Sequence, residues 1–412
     1  MSPATAVCVD VGSTYTKAAL IDLEGGGLVR RAEVPTTAAS DVLAGLDEAV
    51  AAVGGSSSRL YVCSSAGGGL RLAVVGYESL VTAEAGHRVG LSAGAQVVHV
   101  AAGPLGASGM SELRASRPDV ILLVGGTDGG DGDVLLHNAR RLGNARIKVP
   151  VVVAGNASVR EEAAALLYGP VTVAGNVLPR IGVLDPGPAR AAIREVFLRH
   201  VIGGKRLSRG KRFSSLVRAA TPDAVLAGVE LLADVTGAGV LVVDVGGATT
   251  DVYSALLPDA ESESGPRRDV AGTLWRSRTV EGDLGVAAGA DGTRAAAKVE
   301  KLALSDDGDR GLAAAAAAIA LRRHARGHSS GPGQPRTGGR DLRDVRLVVG
   351  SGGVLRHGGG AYVLDAVLGD TAGGWAAPTG ARTVVDQQYV LAAAGLLTND
   401  HPHVAATLVN SL

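Results

Sequence analysis

This sequence of 412 residues has few cysteines and few aromatic residues, and it carries no net charge. Its two cysteines, Cys8 and Cys63, are too few for a disulfide framework, a cysteine zinc knuckle or a four-cysteine iron–sulfur cluster supplied by one chain. The 40 basic residues are balanced by 40 acidic ones, which argues against nucleic-acid binding through bulk positive charge. No apolar run reaches the roughly 18 residues of a membrane span, and no secretory leader is visible. We therefore expect a cytoplasmic protein that binds neither nucleic acid nor membrane.

Glycine and apolar residues are abundant instead. Hydrophobic residues make up 46% of the chain, which excludes an acidic disordered protein, and the length is enough for about two to three domains. The 60 glycines follow no short repeat, so we expect many tight turns and close backbone contacts.

The first candidate site is the segment DVGSTYTK at residues 10–17, which joins two predicted strands. Backbone N–H and hydroxyl groups of such a turn can point at phosphate oxygens, and the residues concerned are Gly12, Ser13 and Thr14. Asp10, at the end of its strand, is the type of ligand that Mg²⁺ takes directly or through water. Lys17 either reaches a phosphate or faces solvent. On its own, the segment fits an ordinary hairpin better than a phosphate site.

The segment DVGGATTD at residues 244–251 repeats this pattern in the second half of the chain. Here Gly246, Gly247 and Thr249 would hold phosphates. Asp244 would complete the metal site or orient an attacking water, whereas Asp251 is expected to be structural. The repeat predicts a duplicated, two-lobed fold in which two facing hairpins clamp a polyphosphate.

A third segment, GSGG at residues 350–353, follows another β-branched run. Its glycines would let the backbone lie against an adenine or a ribose, and they are Gly350, Gly352 and Gly353. Glu281 follows the second hairpin and either contacts ribose, orders a water near the γ-phosphate or is structural. The order of the three segments predicts a nucleotide-binding protein.

Between the first two segments the pattern changes to βα units. Short β-branched runs alternate with helix-length spacers, which is typical of a parallel sheet. We therefore predict an α/β subdomain at residues 70–180, inserted into a first lobe of residues 1–69 and 181–238. A second lobe of residues 239–412 follows.

Polar residues follow three neighbouring strands of this predicted parallel sheet, namely Asp128 and Asp131, Asn156, and Asn176. Because parallel strands end at one edge of a sheet, these loops predict a second pocket or a partner-facing edge. The alternative is a set of glycine–aspartate turns with a helix N-cap. The basic cluster Lys205–Arg218 is expected to be a solvated loop, with partner docking as the alternative.

The three glycine-containing segments resemble the first phosphate loop, the second phosphate loop and the adenosine loop of the actin, Hsp70 and sugar-kinase ATPase superfamily. Further segments resemble the glutamate mutase accessory family, also called MutL or GlmL, which is unrelated to the mismatch-repair protein of that name. These segments are LVGGTDGGD at 123–131, AGN at 154–156 and 174–176, TVEGDLG at 279–285, RRH at 322–324 and GSGGVL at 350–355. The resemblance covers nearly the whole chain.

The resemblance to the superfamily implies an α/β, actin-like or Hsp70-like ATPase fold of duplicated ribonuclease-H-like lobes with an inserted α/β subdomain. It also implies ATP and Mg²⁺ as cofactors, served by Asp10 and Asp244. The resemblance to the family implies a chaperone that uses ATP hydrolysis to exchange damaged cobalamin on an adenosylcobalamin-dependent glutamate (methylaspartate) mutase. Such a protein is an enzyme only as an ATPase, and a homodimer is compatible with the sequence.

Other functions on the same scaffold stay open. A small-molecule kinase would need a carboxylate base in the cleft, and a subunit of a hydantoinase-type ATP-dependent hydrolase or carboxylase would need partner subunits. A filament-forming ATPase is a further alternative. An activator of radical dehydratases is disfavoured, because two lone cysteines are a poor basis for a cluster.

Overall fold

The computed structural model describes residues 4–38, 40–66, 70–78, 81–93, 95–202, 207–208, 210–257, 275–329, 336–337, 339–370 and 375–412. The chain separates into two compact units. The first is formed by residues up to Ala224, and the second by Val225–Leu257 with Trp275–Leu412.

The first unit contains two sheets and their helices. Its elements are β1 (Thr5–Val11), β2 (Tyr15–Asp22), β3 (Leu28–Pro35), α1 (Val42–Ala52), β4 (Arg59–Ser64), β5 (Arg71–Gly76), α2 (Thr82–Ser92), β6 (Gln96–Ala102), α3 (Ala107–Ala115), β7 (Val120–Leu123), α4 (Asp133–Asn144), β8 (Val151–Val153), α5 (Arg160–Ala165), β9 (Val171–Val173), α6 (Gly187–Val196), a π-helical turn (Phe197–Ile202), α7 (Arg212–Leu216) and β10 (Val217–Ala220). Helix α8 (Thr221–Thr236) continues into the second unit.

The second unit is built around one five-stranded sheet. Its elements are β11 (Gly239–Val245), β12 (Thr250–Ala255), β13 (Arg276–Glu281), α9 (Ala290–Val299), α10 (Asp309–Arg326), β14 (His328–Ser329), β15 (Arg336–Thr337), β16 (Val345–Ser351), a π-helical turn (Leu355–Gly359), α11 (Gly360–Leu368), β17 (Arg382–Val385), α12 (Val390–Leu397) and α13 (Pro402–Asn410). In the part of the chain that the structure describes, no helix combines the length and apolarity needed to cross a membrane.

The first sheet and the sheet of the second unit share one topology. Their strand orders are β10-β4-β1-β2-β3 and β17-β16-β11-β12-β13. In each, the first three strands along the chain form an antiparallel meander, and the other two are parallel to the first. This is the ribonuclease-H-like arrangement, present twice, so the predicted duplicated α/β fold is confirmed.

The third sheet is fully parallel, with the doubly wound strand order β6-β5-β7-β8-β9. Its central strands are short and buried on both faces, as expected for β-branched runs covered by helices on each side. One face packs into the same apolar cluster as β1, to which Val7, Val9, Leu72 and Val74 all belong. The other face packs with α3 and α4 around a separate cluster. Helix α6 lies against β8 and β9 of this sheet.

Candidate functional site

The predicted first phosphate segment forms a tight hairpin between β1 and β2. Its four-residue turn is closed by the N–H of Gly12, which donates to the carbonyl oxygen of Tyr15 at 3.0 Å. A Cβ at Gly12 would lie 2.7 Å from that oxygen, so the turn requires glycine. Ser13 and Thr14 are exposed at the tip, and no described residue accepts a hydrogen bond from either N–H. The hairpin tip therefore has two adjacent N–H donors that the described residues leave without an acceptor.

The predicted second phosphate segment forms the same turn between β11 and β12. The N–H of Gly246 donates to the carbonyl oxygen of Thr249 at 2.9 Å, and a Cβ at Gly246 would lie 2.9 Å from that oxygen. Gly247 and Ala248 are exposed at the tip, again with N–H groups that have no acceptor among the described residues. Each hairpin therefore has two adjacent N–H groups at its tip that no described residue accepts, and backbone donors of this kind can bind phosphate oxygens.

Asp10 lies one residue before the end of β1, and its carboxylate is positioned by two neighbours. The hydroxyl of Thr221 donates to Oδ1 of Asp10 at 2.5 Å, and Sγ of Cys63 lies 3.7 Å from the same oxygen. Burial and the charge of Asp10 raise the pKa of Cys63 well above its usual value, so the thiol is protonated and can donate. Lys17 faces Asp10 directly across the hairpin. Neither Thr221 nor Cys63 is a predicted site residue.

Asp244 occupies the equivalent position on β11, where it faces Asp251 across the hairpin. Burial raises the pKa of Asp251, and the guanidinium of Arg278 opposes this shift through a hydrogen bond of 2.8 Å from its Nε. The expected structural role of Asp251 fits this ion pair. Where the first hairpin has a lysine beside its aspartate, the second has a paired carboxylate and guanidinium.

The predicted adenosine segment ends β16 and lies beside the second hairpin. Ser351 pairs with Asp244 in register, and Gly352 has φ +105°. A Cβ at Gly352 would lie 2.1 Å from the carbonyl oxygen of Val245, so this glycine allows the two loops to touch. Gly353 is exposed, and a Cβ there would meet nothing within 4 Å. Gly353 therefore presents open backbone, whereas Gly350 and Gly352 are needed for packing.

A loop that sequence reasoning missed follows β17 and borders this segment. The N–H of Asp386 donates to the carbonyl oxygen of Gly350 at 2.9 Å, and its buried carboxylate accepts the N–H of Val390 at 3.0 Å, at the start of α12. Tyr389 has φ +57°, a rare conformation for a large side chain. The guanidinium of Arg356 stacks 3.2 Å from the centre of its ring. An aspartate just before an apolar helix was the available signal.

Glu281 is the last residue of β13 and is held by an ion pair. Arg323 Nη1 donates to Glu281 at 2.7 Å and to Asp283 at 2.7 Å. Burial raises the pKa of Glu281, and the hydrogen bond from Arg323 works in the opposite direction. This contact fits the structural alternative for Glu281. A contact of Glu281 with ribose or with a water stays a prediction.

Among the described residues, no group of three or more His, Cys, Asp or Glu side chains could hold a metal ion. One carboxylate from each hairpin, that of Asp10 or Asp244, can nevertheless suffice for Mg²⁺ when phosphate and water supply its other oxygen ligands. Asp10 lies in the first unit and Asp244 in the second, and a shared role at one metal stays a prediction.

Comparison with known proteins decides the family. A profile of the family described as "MutL protein" matches residues 6–308 and 305–412. A curated relative, Protein MutL of Clostridium tetanomorphum, is 33% identical over an alignment 455 positions long, which covers 97% of this chain and 97% of the relative. The chain belongs to the MutL protein family. The family resemblance predicted from sequence is thereby confirmed.

Solved structures similar to this MutL chain are much more distant. One is the activator of the 2-hydroxyisocaproyl-CoA dehydratase from Clostridium difficile with bound ADPNP. It is 9% identical with a TM-score of 0.32 and covers 99% of this chain and 96% of that one. Another is a ROK family glucokinase from Streptomyces griseus in complex with glucose and AMPPNP, 14% identical with a TM-score of 0.32, covering 99% and 100%. The fold assignment rests on the two equivalent sheets and not on these superpositions.

The RRH segment at residues 322–324, near the end of α10, makes buried hydrogen bonds in the second unit. Arg322 is buried and makes a two-armed pair with Asp370, at 2.7 Å from both Nε and Nη2. His324 is also buried, with Nδ1 2.9 Å from the hydroxyl of Thr279 and Nε2 2.9 Å from that of Ser254. Burial, with the charge of Arg340, lowers the pKa of His324 well below its usual value. The segment is therefore structural.

The buried His324 predicts an acid-sensitive second unit. Its ring stays neutral in the folded protein and takes up a proton on unfolding at a pH below about 6.5, so stability falls as pH falls through this range. We expect the free energy of unfolding of the parent to fall more steeply between pH 6.5 and 5 than that of His324→Gln, by up to about 1.4 kcal/mol per pH unit. Urea titrations monitored by circular dichroism at several pH values measure both slopes, and equal slopes would contradict the assignment.

The polar loops of the parallel sheet bond to one another. Asp128 Oδ1 accepts the N–H of Ala157 at 2.9 Å and the amide of Asn176 at 2.8 Å. Asn156 donates to the carbonyl oxygen of Gly130 at 2.8 Å. These contacts fit the turn alternative, in which the side chains hold the loops in place.

Two arginines of the predicted basic cluster contact side chains outside it. Arg212 makes a two-armed pair with Asp47, with both nitrogen–oxygen distances at 2.7 Å. Arg218 lies 4.1 Å from the centre of the Tyr61 ring. Of the cluster's other residues, Lys211 is exposed, and Lys205, Arg206 and Arg209 lie outside the described residues.

Proposed function

We propose that this chain is an ATP-dependent accessory protein of an adenosylcobalamin-dependent glutamate (methylaspartate) mutase. It binds Mg²⁺–ATP at its two hairpins and couples ATP hydrolysis to the exchange of damaged cobalamin for intact coenzyme. The observation on which the proposal depends is the pair of identical turns. Each has an aspartate one residue before the end of its first strand and two adjacent N–H donors at the tip.

The hairpins supply what phosphoryl transfer needs from a protein, which is positioning and neutralisation of charge. Ser13 and Thr14 in one unit and Gly247 and Ala248 in the other would each bind phosphate oxygens through their N–H groups. When bound, Mg²⁺ would neutralise the charge of the phosphates. Asp10 is suited to hold the ion or its water because Thr221 fixes the orientation of its carboxylate.

The nucleoside would lie against the segment that ends β16. Gly353 is exposed and has open space where a side chain would be. A flat base or ribose can therefore approach the backbone there, and any larger residue would occupy that space. Asp386 and the loop it holds form the adjoining wall of the segment, through the hydrogen bond to Gly350.

The partner assignment rests on membership of the MutL family. The relation to the clostridial Protein MutL extends over 97% of both chains, so the inserted parallel sheet is part of what the two proteins share. A protein that remodels a partner protein needs a surface that binds this partner. A kinase that acts on small molecules needs no such surface. The inserted sheet, which is absent from the two ribonuclease-H-like lobes, is suited to that role.

The test is reactivation of an inhibited mutase. A cognate glutamate mutase inactivated with cyanocobalamin is expected to regain activity with this protein, ATP and fresh adenosylcobalamin, but not when any one is omitted. Asp244→Asn, which is expected to lose ATP, is the matched control. Absence of recovery, or recovery without ATP, would contradict the proposal. Robust phosphorylation of a sugar or acid would then favour the kinase alternative, and partner-dependent hydrolysis the hydantoinase type.

A further inference from the structure

Arg356 and Tyr389 form a stacked pair next to the segment that we assign to the nucleoside. The guanidinium carbon of Arg356 lies 3.2 Å from the centre of the Tyr389 ring. Both side chains are half-buried, so the pair lies at the surface of the second unit and not in its core. Neither residue was singled out by the sequence analysis.

Arg356 shares a helical turn with the open glycine of this segment. The turn is closed by the N–H of Arg356, which donates to the carbonyl oxygen of Gly352 at 3.1 Å. Residues three positions apart in such a turn lie on the same face, and Gly353 is three positions before Arg356. A Cβ at Gly353 would meet nothing within 4 Å. Arg356 therefore lies on the face that Gly353 leaves open.

Tyr389 is held in a conformation that costs stability. Its φ of +57° lies in the left-handed region, where a large aromatic residue is rare and glycine is favoured. The buried carboxylate of Asp386 fixes the backbone on both sides of the tyrosine, because it accepts the N–H of Gln388 at 3.3 Å and that of Val390 at 3.0 Å. Residues strained in this way cluster at sites that bind ligands. A tyrosine at this position therefore indicates a function for its ring.

Asp386 also acts on the guanidinium of Arg356. Burial raises the pKa of Asp386, and the hydrogen bonds from its loop and the charge of Arg356 work in the opposite direction. The carboxylate therefore attracts the guanidinium while the ring of Tyr389 packs over it. The same loop is joined to the end of β16, where the N–H of Asp386 donates to Gly350 at 2.9 Å. The result is a flat cationic group held beside the open glycine.

We propose that Arg356 and Tyr389 form a base subsite. The guanidinium of Arg356 takes the purine ring of ATP on one face, and Tyr389 is a positioning residue on the other. The subsite presupposes the proposed nucleotide site and goes further by naming the groups that select the base. A guanidinium stacks on aromatic rings, and a purine offers a larger ring system than a pyrimidine. The subsite therefore favours ATP over CTP, whereas the phosphate hairpins do not distinguish the two.

The affinities of the full chain for Mg²⁺–ATP, Mg²⁺–CTP and Mg²⁺–tripolyphosphate separate the base subsite from the phosphate site. Tripolyphosphate has no nucleoside, so it reports on the hairpins alone. Isothermal titration measures each affinity, with circular dichroism as the check on folding. We expect the parent to bind ATP more tightly than CTP, and to bind tripolyphosphate as well.

Arg356→Leu removes the guanidinium, and Tyr389→Leu removes the ring that positions it. Each variant should bind Mg²⁺–ATP about 10-fold more weakly and prefer ATP over CTP less than the parent does. The affinity for tripolyphosphate should not change. Tyr389→Phe keeps the ring and should keep the affinity for ATP. Tyr168→Leu is the matched control and should change no affinity, because this tyrosine is 57% exposed in the first unit and its ring lies 6.0 Å from Arg146.

Tyr389→Gly guards against a leucine variant that fails to fold. Glycine adopts the left-handed backbone without steric strain, so its urea midpoint should be no lower than that of Tyr389→Leu, and its affinity for ATP should fall equally.

Three results would each overturn the base subsite. They are an unchanged affinity for ATP in Arg356→Leu or in both ring-deleted variants of Tyr389, an equal loss of ATP and tripolyphosphate binding, and a parent that binds CTP as tightly as ATP. A parent that binds neither ATP nor tripolyphosphate would overturn the proposed nucleotide site as well.

Discussion

Replacing Asp244 by asparagine is expected to weaken the binding of Mg²⁺–ATP about 10- to 100-fold, and Asp10→Asn is expected to do the same. Asparagine keeps the size of the side chain and one oxygen acceptor, so the hydrogen bond from Thr221 to residue 10 can persist. The charge that attracts the ion or its water is lost. Isothermal titration with Mg²⁺–ATP measures the change.

The same variants should respond differently to ATP without metal. Removal of a negative charge close to the phosphates is expected to leave the affinity for ATP in EDTA unchanged or higher, because the carboxylate then repels the ligand. A role at the metal therefore predicts opposite effects in the two titrations. General damage to the fold predicts a loss in both.

Asp344→Asn is the matched control for the second unit. It makes the same charge change at the opposite end of the sheet, just before Val345, which pairs with Gly239, and its side chain is 97% exposed. We expect no change in nucleotide affinity. If Asp10→Asn and Asp244→Asn bind Mg²⁺–ATP as tightly as the parent, the site assignment is wrong.

Gly352→Ala is expected to destabilise the second unit by about 3 kcal/mol or more. The new methyl group would lie 2.1 Å from the carbonyl oxygen of Val245, and the backbone at φ +105° is strained for any residue with a Cβ. The neighbouring variant Gly353→Ala is the matched control, because nothing lies within 4 Å of its Cβ. Urea denaturation followed by circular dichroism compares the two.

Substitution of Gly353 distinguishes an effect on nucleotide binding from an effect on folding. Gly353→Val is expected to keep the stability of the parent and to lose nucleotide affinity, since its side chain would occupy the open surface that we assign to the nucleoside. Equal stability of Gly352→Ala and the parent would contradict the close contact with the second hairpin. Unchanged nucleotide binding by Gly353→Val would place the nucleoside elsewhere.

Family membership and the duplicated lobes could be predicted from the sequence because the signals are local. A strand, a glycine turn and a second strand follow one another within residues 5–22 and again within residues 239–255, and each turn needs glycine because a Cβ there would meet a carbonyl oxygen of the same turn. Asp10 and Asp244 occupy equivalent positions in the two hairpins. The parallel sheet was likewise predictable from short buried runs, since strands covered on both faces are continuously apolar.

Strands β10, β13 and β17 are not predicted by the sequence analysis. They are short or polar edge strands, and their pattern differs little from that of a loop. An edge strand is defined by the strand it pairs with, and that partner is distant in sequence.

By itself, the sequence determined the family, the two glycine hairpins and the order of the glycine segments, all of which depend on neighbouring residues. Only the tertiary structure decided that Thr221 and Cys63 meet the carboxylate of Asp10, at sequence separations of 211 and 53 residues. It also decided that the loop at Asp386 adjoins Gly350. The physical reason is that the folded chain brings together residues that are far apart in the sequence, and the residues between them do not indicate which segments will meet.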